Sequence, residues 1–276
     1  MTAKSILITG CSSGIGLVVA QGLAAKGWRV FASARKAEDV SRLQQLGLEA
    51  LPLDVDDSAS IHAAVAEVLR RTGGTLDALF NNAGYGQPGA AEDVPRHAMR
   101  AQFETNLFGA WELMNAVLPV MRRQGYGRVL FNSSVLGFAA MKYRGAYNAS
   151  KYAMEGLCDT LRLELAGSGI HVSLIEPGPI ESRFRPNALA RFLANIDIAH
   201  SAHRASYEKQ LLRLKKEGHA APFTLPATAV LAKVERALLA ARPAARYRVT
   251  FPTHLFWWLK RLLPTRWLDA VLGRAA

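Results

Sequence analysis

Ile6-Leu7-Ile8-Thr9-Gly10-Cys11-Ser12-Ser13-Gly14-Ile15-Gly16 is the stretch on which the reading of the fold turns. An apolar run too short for a helix ends in a glycine-rich turn, and an amphipathic segment, 15–26, follows at once. Glycines at 10, 14 and 16 let the backbone turn tightly and approach a ligand closely. The helix that opens there presents free N–H groups and positive dipole potential, which together suit a pyrophosphate. The spacing is G-x-x-x-G-x-G, not G-x-G-x-x-G. Glycine-rich turns also serve plain loops. The place of this one, behind a first strand and ahead of a helix, is what gives it weight.

Outward from that turn, short apolar runs alternate with helical patterns through the first 175 residues. The expected strands are 5–9, 29–34, 50–53, 78–81, 128–132 and 171–175, with helices over 15–26, 59–71 and 103–123. The runs are continuously apolar rather than alternating, as when helices cover both faces of a sheet. Strand and helix in turn imply right-handed βαβ units. The fold class is therefore α/β, a Rossmann-type doubly wound parallel sheet of about seven strands flanked by helices. After Pro177-Gly178-Pro179 the rhythm breaks. Residues 183–220 read as a helical substrate-cap insertion, 226–241 as a helix, 246–250 as a last strand and 251–276 as an amphipathic tail. The whole chain, 1–276, is read as one domain with a C-terminal helical cap.

Half of the 276 residues are hydrophobic, enough for a sizeable core. The net charge of +12 is unevenly placed. Residues 1–182 carry 17 Lys+Arg and 17 Asp+Glu, whereas 183–276 carry 17 and 5, so the whole excess lies in the last third. Such a block suits a solvated surface, anionic lipid or an acidic ligand. No zinc-finger spacing or RNP-like motif accompanies it, and no nucleic-acid partner is expected. Cys11 and Cys158 match no metal spacing and read as reduced structural thiols, so no metal is expected. No stretch reads as a signal peptide or a spanning helix, which points to a cytoplasmic protein, peripheral at the inner face of a membrane if the tail binds lipid. That tail interleaves Phe256, Trp257, Trp258, Leu259, Leu262, Leu263 and Trp267 with Lys260, Arg261 and Arg266. It suits an interfacial anchor, a lid or a subunit contact.

The second strand ends in Ala32-Ser33-Ala34-Arg35-Lys36. A carboxylate there would bond an adenosine ribose and repel a 2′-phosphate. None is present, and Arg35 can grip a phosphate with charge-assisted bonds. NADP(H) is therefore expected over NAD(H), with Ser33 as a further hydroxyl contact. Asn81-Asn82-Ala83-Gly84 ends the fourth strand; its small residues allow close backbone approach, and Asn81 is placed to brace neighbouring strands. At the other end of the site, Tyr147-Asn148-Ala149-Ser150-Lys151 begins a helical pattern. Residues four apart share a helix face, so the Lys151 ammonium lies near the Tyr147 phenol and is expected to lower its pKa towards the range useful for proton transfer. Ser134 stands just beyond the fifth strand, where strand ends line the ligand crevice, with Ser133 as the alternative hydroxyl.

Taken together, these motifs resemble the short-chain dehydrogenase/reductase family over roughly residues 5–182, with a finer similarity to bacterial NADP-dependent aldehyde reductases and to the 17β-hydroxysteroid and retinol dehydrogenase branch. The resemblance implies a catalytic set of Tyr147, Lys151, Ser134 and Asn106, the last holding a water that links Lys151 to solvent. It implies cofactor contacts from Gly10, Ser12, Ser13, Gly14, Ile15 and Gly16, from Arg35, and from Asp54 and Val55 beside the adenine. Asn82, Ala83, Gly84, Tyr147, Lys151, Pro177, Gly178, Ile180 and Ser182 complete the cofactor set. It also implies a homo-oligomer. The chemistry expected is hydride transfer between NADP(H) and a small apolar carbonyl or alcohol such as an aldehyde, ketone, retinoid or steroid. Substrate contacts are expected from 85–91, 138–143 and the cap, through Phe138, Met141, Tyr143 and Phe184; the rival is an anionic substrate paired with Arg183 and Arg185. The other functional class on this fold is a binding protein that senses NADP(H) without turnover.

Overall fold

The inner strands of this protein are apolar at most positions because both sides of the sheet are covered. In the computed structural model, which describes residues 3–216, 218 and 221–274, Leu7, Phe31, Leu51, Leu79 and Val129 enter one core and Ile6, Ile8, Val30, Ala32, Phe80 and Leu130 the other. The strands are β1 (Ser5–Ile8), β2 (Arg29–Ala34), β3 (Glu49–Pro52), β4 (Ala78–Asn81), β5 (Gly127–Asn132), β6 (Ile170–Glu176) and β7 (Arg246–Arg248). They form one parallel sheet in the order β3-β2-β1-β4-β5-β6-β7. The order reverses between β1 and β4, so the crevice for a ligand opens at the carboxyl ends of those strands. This is the doubly wound α/β class expected from the sequence.

Helices α1 (Gly14–Ala24) and α9 (Thr228–Leu239) cover one face, through Val19, Leu23, Val230 and Val234. Helices α3 (Ser58–Thr72), α5 (Gly109–Gln124) and α6 (Gly145–Glu164) cover the other, through Ile61, Val68, Leu113, Val117 and Met154. Apolar side chains at helical spacing make these faces, and their burial supplies most of the helical stability. The helix expected over 103–123 is instead three pieces: α4 (Arg96–Phe103), a π-helical turn (Glu104–Phe108) and α5. The extra residue in that turn carries Asn106, fully buried. Helix α2 (Ala37–Gln45) was not anticipated; it is polar and buries only Val40 and Leu43.

The cap consists of α7 (Phe184–Asn195) and α8 (Arg204–Lys215). It has its own core, in which Phe192 and the fully buried Tyr207 pack on Ala90, Val94, Ala98 and Ala146. Tyr207 donates to Asp93 and accepts from the Ala90 amide at 2.9 Å. Residues 217, 219 and 220 of the expected cap, and the chain limits at 1 and 276, lie outside the described residues. Beyond β7 the tail folds as α10 (Phe251–Leu262) and α11 (Thr265–Arg274), separated at Pro264, which cannot continue the first helix. Among the described residues no helix is long and apolar enough to cross a membrane. Cys11 and Cys158 are free and buried, and burial pushes the Cys11 thiol up to about 12.

Candidate active site

The glycine loop is built by close contact. Gly10 and Gly14 have φ of +70° and +57°, where an L side chain is strained. A methyl group on Gly16 would lie 2.4 Å from the Gly10 carbonyl oxygen and 2.6 Å from Asn82 Nδ2. Thr9 ties the loop to the end of β4: its hydroxyl accepts from the Asn82 and Ala83 amides, both at 2.9 Å. Asn82 Nδ2 donates to the carbonyls of Thr9 and Gly10, and its Oδ1 accepts from Asn132 at 2.9 Å. Asn82, just past the strand, is thus the brace. Asn81, expected in that role, is buried within β4, and its side-chain amide has no partner among the described residues. Helix α1 starts with no acidic residue in its first turn, and Ser13 makes no side-chain cap. Its terminal N–H groups are therefore available to an anion, and the loop fits a dinucleotide diphosphate.

At the adenosine side, Arg35 stands past β2 with its guanidinium exposed and only 4.0 Å from Asp54 Oδ2, a contact loose enough to yield to a phosphate. Ser33 is no partner to it: fully buried, it donates to the Ile8 carbonyl at 3.1 Å. A second cation, absent from the sequence reading, is Arg42 on α2. It donates to the Ser12 carbonyl and pairs with Asp39 at 2.8 Å. Asp54 accepts from the Asp56 amide at 3.1 Å, and Val55 is buried against Gly109.

At the reactive end, the carboxyl end of β5 and the start of α6 meet. Ser134 caps the short turn Val135–Gly137 by accepting from the Leu136 amide at 3.1 Å, and its hydroxyl stands beside the Tyr147 phenol, whose pKa it lowers. Ser133 points away and donates to Glu155 Oε1 at 2.5 Å, so Ser134 is the hydroxyl beside Tyr147. Lys151 Nζ lies 5.8 Å from the Tyr147 ring centre and donates to the Asn132 carbonyl at 2.6 Å. The expected lowering of the phenol pKa is absent. Burial pushes Tyr147 up to about 12, against the Ser134 hydroxyl, and pulls Lys151 down to about 8. The amine is directed at the Asn132 carbonyl, and desolvation of the ring outweighs its charge. Asn106 lies between these groups, but its amide is engaged by the protein. It accepts from the Tyr85 amide at 3.0 Å and donates to the Tyr85 carbonyl and to Ser150 Oγ.

The loop after β6 closes the other wall. Ser182 lies opposite Gly14, whose added methyl would sit 3.0 Å from Ser182 Cβ. Ile180 pairs with Leu225 as an isolated bridge. Gly178 is fixed by packing, since a methyl there would fall 2.1 Å from Thr250 Oγ1.

Between these walls is a cavity of about 840 Å³ that touches Ile15, Asn82, Gly84, Ser134, Tyr147 and Lys151 at one end. The family model described as short chain dehydrogenase matches residues 4–191, which hold this loop, these strand ends and the Ser134–Tyr147–Lys151 set. The chain belongs to the short-chain dehydrogenase family. This dehydrogenase is similar to the uncharacterized oxidoreductase YbbO of Escherichia coli strain K12, 43% identical over 98% of this chain and 94% of that protein. Human 17-beta-hydroxysteroid dehydrogenase type 1 is 38% identical over 77% of this chain and 70% of its own length. A short chain dehydrogenase/reductase from Burkholderia phymatum, solved in complex with NAD, superposes with a TM-score of 0.78 at 26% identity, over 99% and 96% of the two chains. The dehydrogenase is thus an oxidoreductase by family.

The substrate side of the dehydrogenase's cavity corrects three expectations. Met141 and Phe184 line it, but Phe138 does not, and Tyr143 turns into the cap core against His203 and Tyr207. Tyr85 lies beneath the Arg191 guanidinium at 4.6 Å, away from the cavity. The tail contributes instead: Pro252, Phe256 and Leu272 line the cavity. The signal for this was present as apolar residues on one side of the tail, but sequence spacing does not say which cavity such a side covers.

Proposed function

We propose that this dehydrogenase transfers a hydride between NADP(H) and a carbonyl or alcohol carried on an apolar chain. The observation that carries the reading is the convergence of Ser134, Tyr147 and Lys151 at the junction of a glycine-lined nucleotide cleft and a largely apolar cavity. Bound NADP(H) supplies the hydride or accepts it. Ser134 and Tyr147 hydrogen-bond the substrate oxygen and stabilise charge developing there. Raised to about 12 by burial, Tyr147 keeps its proton at neutral pH and serves reduction as the donor. Lys151, an ammonium at neutral pH, would hold the cofactor ribose and offset negative charge on the phenol oxygen. Asn106 is a positioning residue that locks the Tyr85 backbone to Ser150 on α6.

Gly10, Ser12, Ser13, Gly14, Ile15 and Gly16 would hold the diphosphate, with Asp54, Val55, Asn82, Ala83, Gly84, Pro177, Gly178, Ile180 and Ser182 along the rest of the cofactor. The Burkholderia relative holds NAD, so the phosphate preference proposed here rests on Arg35, with Arg42 beside it, and not on the family. The cap and tail act as covers within one oxidoreductase unit. The tail's inner side is a lid over the cavity. Its outer side exposes Trp258, Leu262 and Trp267 among Lys260, Arg261 and Arg266, a pattern that complements an anionic lipid surface.

The test is NADPH oxidation across a panel of aliphatic aldehydes, ketones and steroids, with NADH as the comparison. Turnover with NADPH preferred is the expected result. Tight NADPH binding with no turnover of any carbonyl would replace the enzyme reading with that of a cofactor sensor.

A further inference from the structure

A smaller recess of about 110 Å³ adjoins the main cavity and shares Leu136, Arg144, Tyr147, Phe184, Arg185 and Arg213 with it. Three of those six are arginines, and among the described residues no carboxylate lines the recess. Their partners within the protein are few. Arg144 has one long bond, Nη1 to the Tyr143 carbonyl at 3.4 Å. Arg185 Nη2 donates to the Gly218 carbonyl, while its Nη1 is buried without an acceptor among the described residues. Arg213, half-buried on α8, makes no hydrogen bond or ion pair with any described residue, and burial alone pulls its pKa down.

Such an arrangement is costly without an anion. Half-buried guanidinium groups repel one another and leave buried donors unmade. A bound oxyanion removes both costs, because planar guanidinium forks match a carboxylate or sulfonate with charge-assisted bonds. The cofactor's own phosphates do not reach this place. They belong to the α1 amino terminus and to Arg35 beyond β2, and no residue of the glycine loop lines the recess. Tyr147 does line it, with Phe184 packed edge-on to its ring at 5.3 Å. An anionic group here therefore sits within a few bonds of the oxygen that Tyr147 would contact. The rest of the substrate lies along Ala139, Met141, Phe256 and Leu272.

We infer that Arg144, Arg185 and Arg213 form an oxyanion subsite, and that the substrate is an amphiphile: an apolar chain whose carbonyl or alcohol stands close to a carboxylate or sulfonate. This rests on the oxidoreductase reading for its carbonyl but not for its anion, and it moves the cationic partner from the exposed Arg183 to Arg213. Two measurements separate the claims. Isothermal titration compares decanesulfonate with 1-decanol on the NADPH-loaded chain, and NADPH oxidation compares 4-oxododecanoate with its methyl ester.

The expected result is a preference of at least about tenfold for the anion in each pair, equivalent to about 1.4 kcal/mol. Arg213→Gln, and Arg185→Gln separately, should each cut that preference several-fold while thermal melting and NADPH affinity hold, which excludes a folding defect. Equal binding of decanesulfonate and decanol by the wild-type chain would overturn the subsite, as would a preference that survives both substitutions. Selective anion binding without turnover of either ketone would leave the subsite standing and count against the oxidoreductase reading alone.

Discussion

The Tyr147 proton is held more by the surroundings of the ring than by the neighbouring ammonium. With the phenol raised to about 12 and the amine lowered to about 8, the first group to titrate on the alkaline side is Lys151. Its ammonium is present below that value and lost as pH rises through it, taking with it the charge that offsets the negative charge on the Tyr147 oxygen once its proton is given up. The kcat/KM for carbonyl reduction should accordingly fall with an apparent pKa near 8, and Lys151→Arg should move that limb upwards. A profile flat to the ordinary lysine range would remove Lys151 from this role. Arg35→Ser should cost NADPH about 10- to 100-fold in kcat/KM, the range for a lost charged hydrogen bond, and leave NADH nearly unchanged. Single residues were unevenly legible in the sequence. Tyr147 and Lys151 are fixed by helical spacing, and Ser134 by its place just past a strand. Ser33 was misread because it lies inside a strand covered on both faces, which buries its hydroxyl against the Ile8 carbonyl; Asn81, expected to brace neighbouring strands, is buried in β4 without a partner among the described residues, and Asn82 makes those bonds instead. Arg35 and Asn82, one step beyond strand ends, do face the crevice.

Among the elements, β6, β7, α6 and α10 are joined by a partly buried charge network. Arg246 pairs with Glu155 at 3.0 Å, Asp159 at 2.8 Å and Glu176 at 3.2 Å, and Arg248 pairs with Glu176 at 3.3 Å. Trp257 of α10 is sandwiched between Arg248 and Arg261, at 3.9 and 3.8 Å. Glu176 is fully buried, and among the described residues neither of its oxygens has hydrogen-bond geometry to a partner; burial pushes it up to about 7 from 4.5. Its folded pKa lies above its unfolded one. The fold thus binds a proton that the unfolded chain has released between those values, and stability falls as pH rises through that window. Urea melts at both ends of the window should show Glu176→Gln losing less stability than wild type, by up to about 3 kcal/mol. Equal losses would show that Glu176 is ionised throughout. The strands and principal helices could be read from apolar periodicity. The π-helical turn could not, since one inserted residue leaves that period almost intact, and α2 buries too few residues to leave a pattern.

For the molecule as a whole, the uneven charge acquires a place. The balanced first two-thirds contain six of the seven strands and the glycine loop, while the basic last third supplies the cap, the tail helices and two of the three arginines at the recess, Arg185 and Arg213. On the tail's outer side Trp258 and Trp267 are 55% and 66% exposed. The chain should float with anionic vesicles at low salt and be released at high salt, and Trp258→Ser with Trp267→Ser should abolish flotation. Recovery of the wild-type chain wholly in the soluble fraction would leave the tail as a lid only. That the tail covers the cavity was not legible, because amphipathic spacing shows that a helix has an apolar side without showing what lies under it. The central claim remains the meeting of hydroxyl, phenol and amine over one cofactor. It is tested most directly by Tyr147→Phe, with NADPH binding followed by fluorescence and NADPH oxidation followed with the best carbonyl substrate. The account predicts binding within about twofold of wild type and turnover reduced at least about a thousandfold; near-normal turnover by this variant would contradict it.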